Sequence, residues 1–200
     1  NAEEIINGIQ IPSELGKLTL PKDKRLNGPS GRALDEKYLK PLNLNRKTTW
    51  LCDLLPYSRV NENQKSAIEK HYTQDLIESN GLLKATIPEF DKKELNSESR
   101  REEILLELEN SKAEKLILLG DLPIKWFLRF YDKRFSTLSQ FGDTIDVYGR
   151  EREIKINNKT YNVIALCHPR QADRLGNSSK KGGELHDEWI KQKHRNANTH

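Results

Sequence analysis

The residue of this chain best placed to do chemistry is a histidine that directly follows an apolar run. The run Val163–Cys167 predicts a buried strand, and Pro169 ends it immediately after His168. His168 would therefore stand at the carboxyl end of a strand, where open α/β sheets bind their ligands. Its ring can donate, accept and titrate near neutral pH. The structural alternative is that His168 only ends the strand and caps a backbone group.

A basic and polar segment follows this histidine. From residue 170 to residue 200 there are seven Lys/Arg against four Asp/Glu, and the whole chain carries a net charge of +4. Such an excess permits contact with nucleic-acid phosphates, although a basic solvated surface is the common alternative. The side chains concerned are Arg170, Gln171, Arg174, Asn177, Ser178 and Ser179.

Composition favours a folded, water-soluble domain. The 200 residues are 34% hydrophobic and 32% charged, with no apolar stretch long enough for a membrane span and no signal peptide. We expect one domain over residues 1–200, cytoplasmic and monomeric, with no membrane partner. Asn1-Ala2 is typical of a cloning remnant, and residues 194–200 are expected to form a frayed basic tail.

The two cysteines, Cys52 and Cys167, each lie within an apolar run, which predicts buried thiols. No CxxC spacing indicates a zinc or iron–sulfur site, so we expect neither a metal nor a cofactor. Trp50, Trp126 and Trp189 also lie among apolar residues and are predicted to belong to the core.

Alternating strand and helix patterns predict the α/β class: a three-layer α/β/α sandwich with a central, mainly parallel, four-stranded sheet. A hairpin turning at Asn157-Asn158 should lead into the last strand, and Ser97 or Ser99 should cap a charged helix ending near Asn110. A final helix is predicted over residues 184–193. The four strands are predicted near Glu3–Ile6, Thr48–Leu54, Lys115–Leu119 and Tyr161–Cys167.

Four polar or glycine-containing loops leave the carboxyl ends of these strands: Gly8–Pro12, Asp53–Arg59, Gly120–Pro123 and His168–Gln171. In this order they resemble the motifs of the uracil-DNA glycosylase superfamily, which has a glycine and a nearby proline after strand one and a His-Pro loop after the last strand. Leu118-Leu119-Gly120 is similar to the ending of that family's third strand. Leu26–Asp35 is similar to the segment before strand two. The resemblance covers nearly the whole chain.

The resemblance implies a base-excision enzyme that flips a damaged or deaminated nucleotide out of DNA and hydrolyses its N-glycosidic bond. His168 would donate a hydrogen bond to O2 of the departing pyrimidine. Gln10 would position the attacking water, and Gly8, at the start of the same loop, would contact the substrate. Asp53 would contact the base edge, where the family usually has asparagine.

Further site residues are implied at the position of the stacking aromatic and in the loop after His-Pro. Leu26 occupies the approximate place of the aromatic, and Tyr57 is a second stacking candidate. The last loop would wedge into the duplex and contact DNA, of either strandedness. Its candidates are Arg170, Gln171, Arg174, Leu175, Ser178 and Ser179. The cysteines of the family's iron–sulfur branch are absent, so the implied enzyme is a divergent member.

Two other function classes remain open. A protein of the same fold could bind nucleic acid without catalysis, or the chain could be a nucleotide-binding α/β protein, although it contains neither GxxxxGK[ST] nor GxGxxG. A carboxylate facing His168 would favour the enzyme, and Asp53, Asp121 and Glu14 are the candidates. Structurally, Asp53 could instead cap a helix or pair with Arg59, and Gln10 could satisfy backbone groups.

Overall fold

The computed structural model describes residues 29–56, 59–60, 62–82, 91–174 and 180–197. These residues form two compact units. Residues 55–56, 59–60, 62–82 and 91–94 belong to the smaller unit. The larger unit contains residues 29–54, 95–174 and 180–197.

The helices and strands are numbered in chain order. The helices are α1 (Pro29–Ala33), α2 (Glu62–His71), α3 (Gln74–Ser79), α4 (Glu98–Ser111), α5 (Asp121–Trp126), α6 (Leu138–Phe141), α7 (Pro169–Ala172) and α8 (Lys180–Ala197). The strands are β1 (Lys115–Leu119), β2 (Arg152–Ile156) and β3 (Lys159–Leu166). The described residues also include one π-helical turn (Leu34–Leu39) and three 3-10 turns (Lys40–Leu42, Lys92–Asn96 and Leu128–Phe130).

In the smaller unit, the polar stretch between residues 62 and 79 forms two helices, α2 and α3. Thr73 separates them: its hydroxyl accepts a hydrogen bond from the Leu76 amide at 3.4 Å and so caps α3. Arg59, which could have paired with Asp53, forms an ion pair with Glu94 at 2.8 Å.

The sheet of the larger unit has three strands in the order β1-β3-β2 among the described residues. β1 and β3 are parallel, with Leu119 opposite Leu166 at their carboxyl ends. β2 and β3 are antiparallel and are joined by the predicted hairpin, in which Asn157 takes a left-handed φ of 54°. The α/β class and the strands at 115–119 and 161–166 are thus confirmed, in a mixed sheet.

The prediction of a strand at Thr48–Leu54, and with it a four-stranded central sheet, is wrong for the described residues. This segment is irregular and pairs with no described strand. The carbonyl groups of its last two residues bond instead to a side chain of α4, because the Arg100 guanidinium donates to Asp53 and to Leu54, the latter at 3.1 Å. The predicted strand at Glu3–Ile6 lies outside the described residues.

The same segment explains two further wrong predictions. Trp50 is 57% exposed, and its indole N–H donates to Glu107 on α4 at 3.2 Å. Cys52 is exposed as well. An apolar run that lies along the outside of a helix leaves part of its own surface in water. Trp189 and Cys167 are buried as predicted, and Trp126 is half-buried.

Helices cover both faces of the sheet because β3 alternates its side chains between two apolar clusters. Tyr161, Val163 and Ala165 pack into the first cluster, and Ile164 and Leu166 pack into the second. The first cluster also holds Ile104 and Leu108 of α4, Ile124, Leu128, Phe135 and Phe141. The second also holds Tyr38, Tyr148, Cys167, Ala172 and Trp189.

The last helix is longer at both ends than predicted. It begins at Lys180 and includes Gly182-Gly183, which sequence patterns place before the helix. A Cβ at Gly183 would lie 2.6 Å from the Gln171 carbonyl oxygen, so glycine here allows α8 to approach α7 closely. Residues 194–197, predicted as part of a frayed tail, are helical, and residues 198–200 lie outside the described range. No described helix is long and apolar enough to cross a membrane.

Candidate site at the carboxyl edge of the parallel strands

The carboxyl ends of β1 and β3 meet at Gly120 and His168. The Gly120 amide donates to the Leu166 carbonyl at 2.7 Å, which extends the parallel pairing by one bond. A Cβ at Gly120 would lie 3.1 Å from the Cβ of His168. Gly120 has φ 87° and ψ −174°, a conformation that is essentially restricted to glycine. The glycine therefore lets β1 end directly beside the histidine.

Gly120→Ala should destabilise the larger unit by about 1–3 kcal/mol, because alanine is strained at this backbone conformation and its methyl group would crowd His168. Urea unfolding of the variant and of the wild type measures the difference. Gly81→Ala is the matched control: Gly81 also has a positive φ, of 67°, but a Cβ there meets nothing within 4 Å. Equal losses for the two variants would contradict the close approach at Gly120.

His168 is exposed and is held by a reciprocal cap at the start of α7. Its Nδ1 accepts the Arg170 amide at 3.2 Å, and its own amide donates to Gln171 Oε1 at 3.1 Å. Partial desolvation, followed by the positive charge of Arg170, lowers the pKa of His168. The ring is therefore neutral at pH 7. Since Nδ1 is an acceptor, its single proton lies on Nε2, and the ring has one N–H left to donate to a ligand.

The backbone just before His168 is anchored by a buried polar network that sequence reasoning missed. Tyr38 and Tyr148 bond through their hydroxyls to the carbonyl and the amide of Cys167, at 2.7 and 2.8 Å. His186 bonds in turn to Tyr148. A signal did exist, because His186 lies in the apolar stripe of α8 that also contains Trp189. A polar side chain in such a stripe needs a hydrogen-bond partner inside the core.

Three of the residues predicted to contact DNA follow His168 closely in the sequence, and they differ in the contacts that their side chains make within the protein. Arg170 is exposed and makes no ion pair among the described residues. Arg174 pairs with Asp187 of α8 at 2.8 Å. The side-chain oxygen of Gln171 accepts the His168 amide, so this side chain stabilises the start of α7. The segment predicted as a wedge loop is thus helical over Pro169–Ala172.

Two of the three candidate carboxylate partners of His168 lie within the described residues, and they differ in their contacts. Asp121 Oδ1 accepts the Leu138 amide at 2.7 Å and so fastens α5 to the start of α6. Asp53 is exposed, and its carbonyl accepts from Arg100. The other predicted site residues lie outside the described residues; they are Gly8, Gln10, Glu14, Leu26, Tyr57, Leu175, Ser178 and Ser179.

Comparisons with known proteins identified no relative of this chain. No family model matches the chain, and neither a curated protein nor a solved structure matches it. Within the described part of the chain, no group of three or more His, Cys, Asp or Glu side chains could hold a metal ion.

Proposed function

We propose that this protein is a DNA base-excision glycosylase of the uracil-DNA glycosylase type, acting on a flipped, damaged or deaminated base. The observation that carries the proposal is His168: an exposed, neutral imidazole at the carboxyl edge of two parallel strands, with its remaining N–H on Nε2. A fixed neutral donor suits a leaving group that gains negative charge as its bond breaks. The order of motifs along the chain supports the same function.

In the proposed reaction, water adds to C1′ of the deoxyribose as the bond from C1′ to the base nitrogen breaks. The bonding electron pair leaves with the base, whose O2 accepts a hydrogen bond from His168 Nε2. The water gives up a proton and the base anion takes one, so that free base and an abasic sugar result. Gln10 is the proposed water-positioning group, since a neutral amide can orient water without taking its proton.

Base preference is proposed to depend on Asp53. An ionised carboxylate only accepts hydrogen bonds, so it would repel O4 of uracil and suit a base edge that presents N–H donors. Leu26 and Tyr57 are the proposed contacts to the faces of the base. Incubation with oligonucleotides containing uracil, hypoxanthine or xanthine, followed by alkaline cleavage at abasic sites, tests the activity. Binding to these oligonucleotides without base release would favour the non-catalytic nucleic-acid-binding alternative.

DNA affinity should fall steeply as salt concentration rises, because phosphate contacts release counterions. Arg170→Glu should weaken binding equally for all sequences and lower the salt slope by about one or more. Arg174→Glu should have the smaller direct effect, since Asp187 already compensates this guanidinium. Arg129→Glu, at an exposed arginine of the 3-10 turn Leu128–Phe130, is the charge-matched control. A flat salt response in fluorescence anisotropy would point to a small-molecule ligand.

A further inference from the structure

Cys167 occupies the one position between the end of the sheet pairing and His168. The paired register of β1 and β3 ends at Leu119 and Leu166, so the amide and the carbonyl of Cys167 need partners outside the ladder. Tyrosine hydroxyls from two distant segments supply them. Tyr38 donates to the carbonyl at 2.7 Å, and Tyr148 accepts the amide at 2.8 Å. All three residues are at most 3% exposed.

The directions of the hydrogen bonds that join His186, Tyr148 and the Cys167 amide follow from one fixed acceptor. His186 Nε2 lies 2.9 Å from the Lys37 carbonyl oxygen, which can only accept, so the ring proton is on Nε2. Burial keeps this imidazole neutral by lowering its pKa to about 4. Nδ1 must then accept from the Tyr148 hydroxyl at 2.9 Å, which leaves the Tyr148 oxygen to accept the Cys167 amide.

Ring stacking restricts the same histidine sterically. His186 stacks on Tyr38 with centroids 4.2 Å apart and on Trp189 with centroids 5.2 Å apart. Tyr148 contacts the same ring through its hydrogen bond to Nδ1, so both tyrosines that hold Cys167 contact the fully buried His186. If this region only needed to be filled, phenylalanine would do so without burying hydroxyl groups that must each find a partner. The hydroxyls hold a specific backbone position.

We propose that Tyr38 and Tyr148 are positioning residues, which hold the Cys167 backbone and thereby set the direction in which His168 presents its Nε2–H. Cys167 is bonded covalently to His168 and fixes where the α7 cap begins. A small rotation at Cys167 would move the imidazole away from any ligand at the sheet edge. The catalytic consequence of this inference rests on the proposed function, whereas its geometric part does not.

The test uses Tyr38→Phe and Tyr148→Phe in the full chain, with Tyr161→Phe as control. Tyr161 is a buried tyrosine of β3 that faces the opposite cluster, and its hydroxyl makes no hydrogen bond among the described residues. Nitrogen-15 NMR of the His168 ring reports its tautomer and orientation without any substrate. We expect altered His168 ring shifts in both variants and wild-type shifts in Tyr161→Phe. Unchanged shifts in folded Tyr38→Phe and Tyr148→Phe would overturn the proposal.

Kinetics supply a second readout if the wild type releases base. A misplaced donor should lower kcat by about ten- to a hundredfold while KM stays nearly constant. A loss that only follows the folded fraction would overturn the proposal. If the wild type releases no base at all, the proposed function fails, and the ring shifts still decide the geometric part.

A measurement on the wild type alone covers the case in which a variant does not fold. Hydrogen exchange at the Cys167 amide should be as slow as at the neighbouring β3 amides, although this amide lies outside the strand pairing. Exchange at the rate of an exposed loop amide would overturn the proposal.

Discussion

Replacing His168 with alanine should slow base release by about a hundred- to a thousandfold and leave DNA affinity nearly unchanged. Losing one fixed donor to a developing anion typically costs about 2.7–4 kcal/mol of barrier. The effect should fall on kcat, because in the proposed reaction the ring interacts most strongly with the base once negative charge has built up on it. Affinity should persist, since the proposed phosphate contacts lie at Arg170 and Arg174.

His168 also caps α7, so loss of the cap must be separated from loss of the donor. Alanine removes the acceptor for the Arg170 amide, which at a helix start costs about 0.5–2 kcal/mol of stability. His168→Asn is the matched variant, because asparagine is a good capping residue but its side chain is shorter than the imidazole. It should retain most of the stability and still lose most of the activity.

Single-turnover base release, binding anisotropy and urea unfolding of the wild type and both variants give the comparison. Stability loss without a rate loss beyond the folded fraction would assign His168 a purely structural role. Base release by His168→Asn at the wild-type rate would contradict the donor role in particular.

The free energy of unfolding should fall by about 3 kcal/mol on account of His186 as pH drops from 6.5 to 4. Burial lowers the pKa of His186 from 6.5 to about 4 in the folded protein. Between these values the unfolded chain binds the proton and the folded chain does not, so acid favours unfolding. Above pH 6.5 His186 costs no stability, because it is neutral in both the folded and the unfolded chain. Below pH 6.5 the free energy of unfolding falls by roughly 1.4 kcal/mol per pH unit towards pH 4.

Urea unfolding at several pH values between 7 and 4 measures this dependence, with His186→Gln for comparison. Glutamine offers a donor and an acceptor but does not titrate, so the variant should have a lower stability at pH 7 and a shallower pH slope. His168 contributes in the same direction because its pKa is also lowered, and that contribution is common to both proteins. Parallel curves for the wild type and His186→Gln would show that His186 does not carry the effect.

Much of the sheet could be predicted from local pattern. Lys115–Leu119 and the second arm of the hairpin are short apolar runs bounded by Gly120, by Pro169 and by the asparagine turn, and such punctuation reflects backbone sterics that act locally. A serine cap of α4, at Ser97 or Ser99, was predicted for the same reason, because a hydroxyl before a helix meets the amides of its own first turn, and Ser97 is the residue that caps it. The position of His168 at a strand end belongs to this group.

Local pattern failed where a distant side chain supplied the deciding contact. Thr48–Leu54 has the composition of a strand, but Arg100, 46 residues beyond Leu54 along the chain, bonds the carbonyls of its last two residues. Composition cannot show which partner a backbone carbonyl will find, since a guanidinium satisfies it as well as a neighbouring strand does.

The residues themselves determined that a histidine would follow a buried strand and that a glycine would end the strand Lys115–Leu119. Only the tertiary structure decided how the histidine is held. Tyr38, Tyr148 and His186 come from three separate segments. The bonds of the two tyrosines to the Cys167 backbone, and of His186 to Tyr148, exist only once helices have packed on that face of the sheet. Hydrogen bonds between groups far apart in sequence depend on packing over the whole fold, which no local pattern encodes.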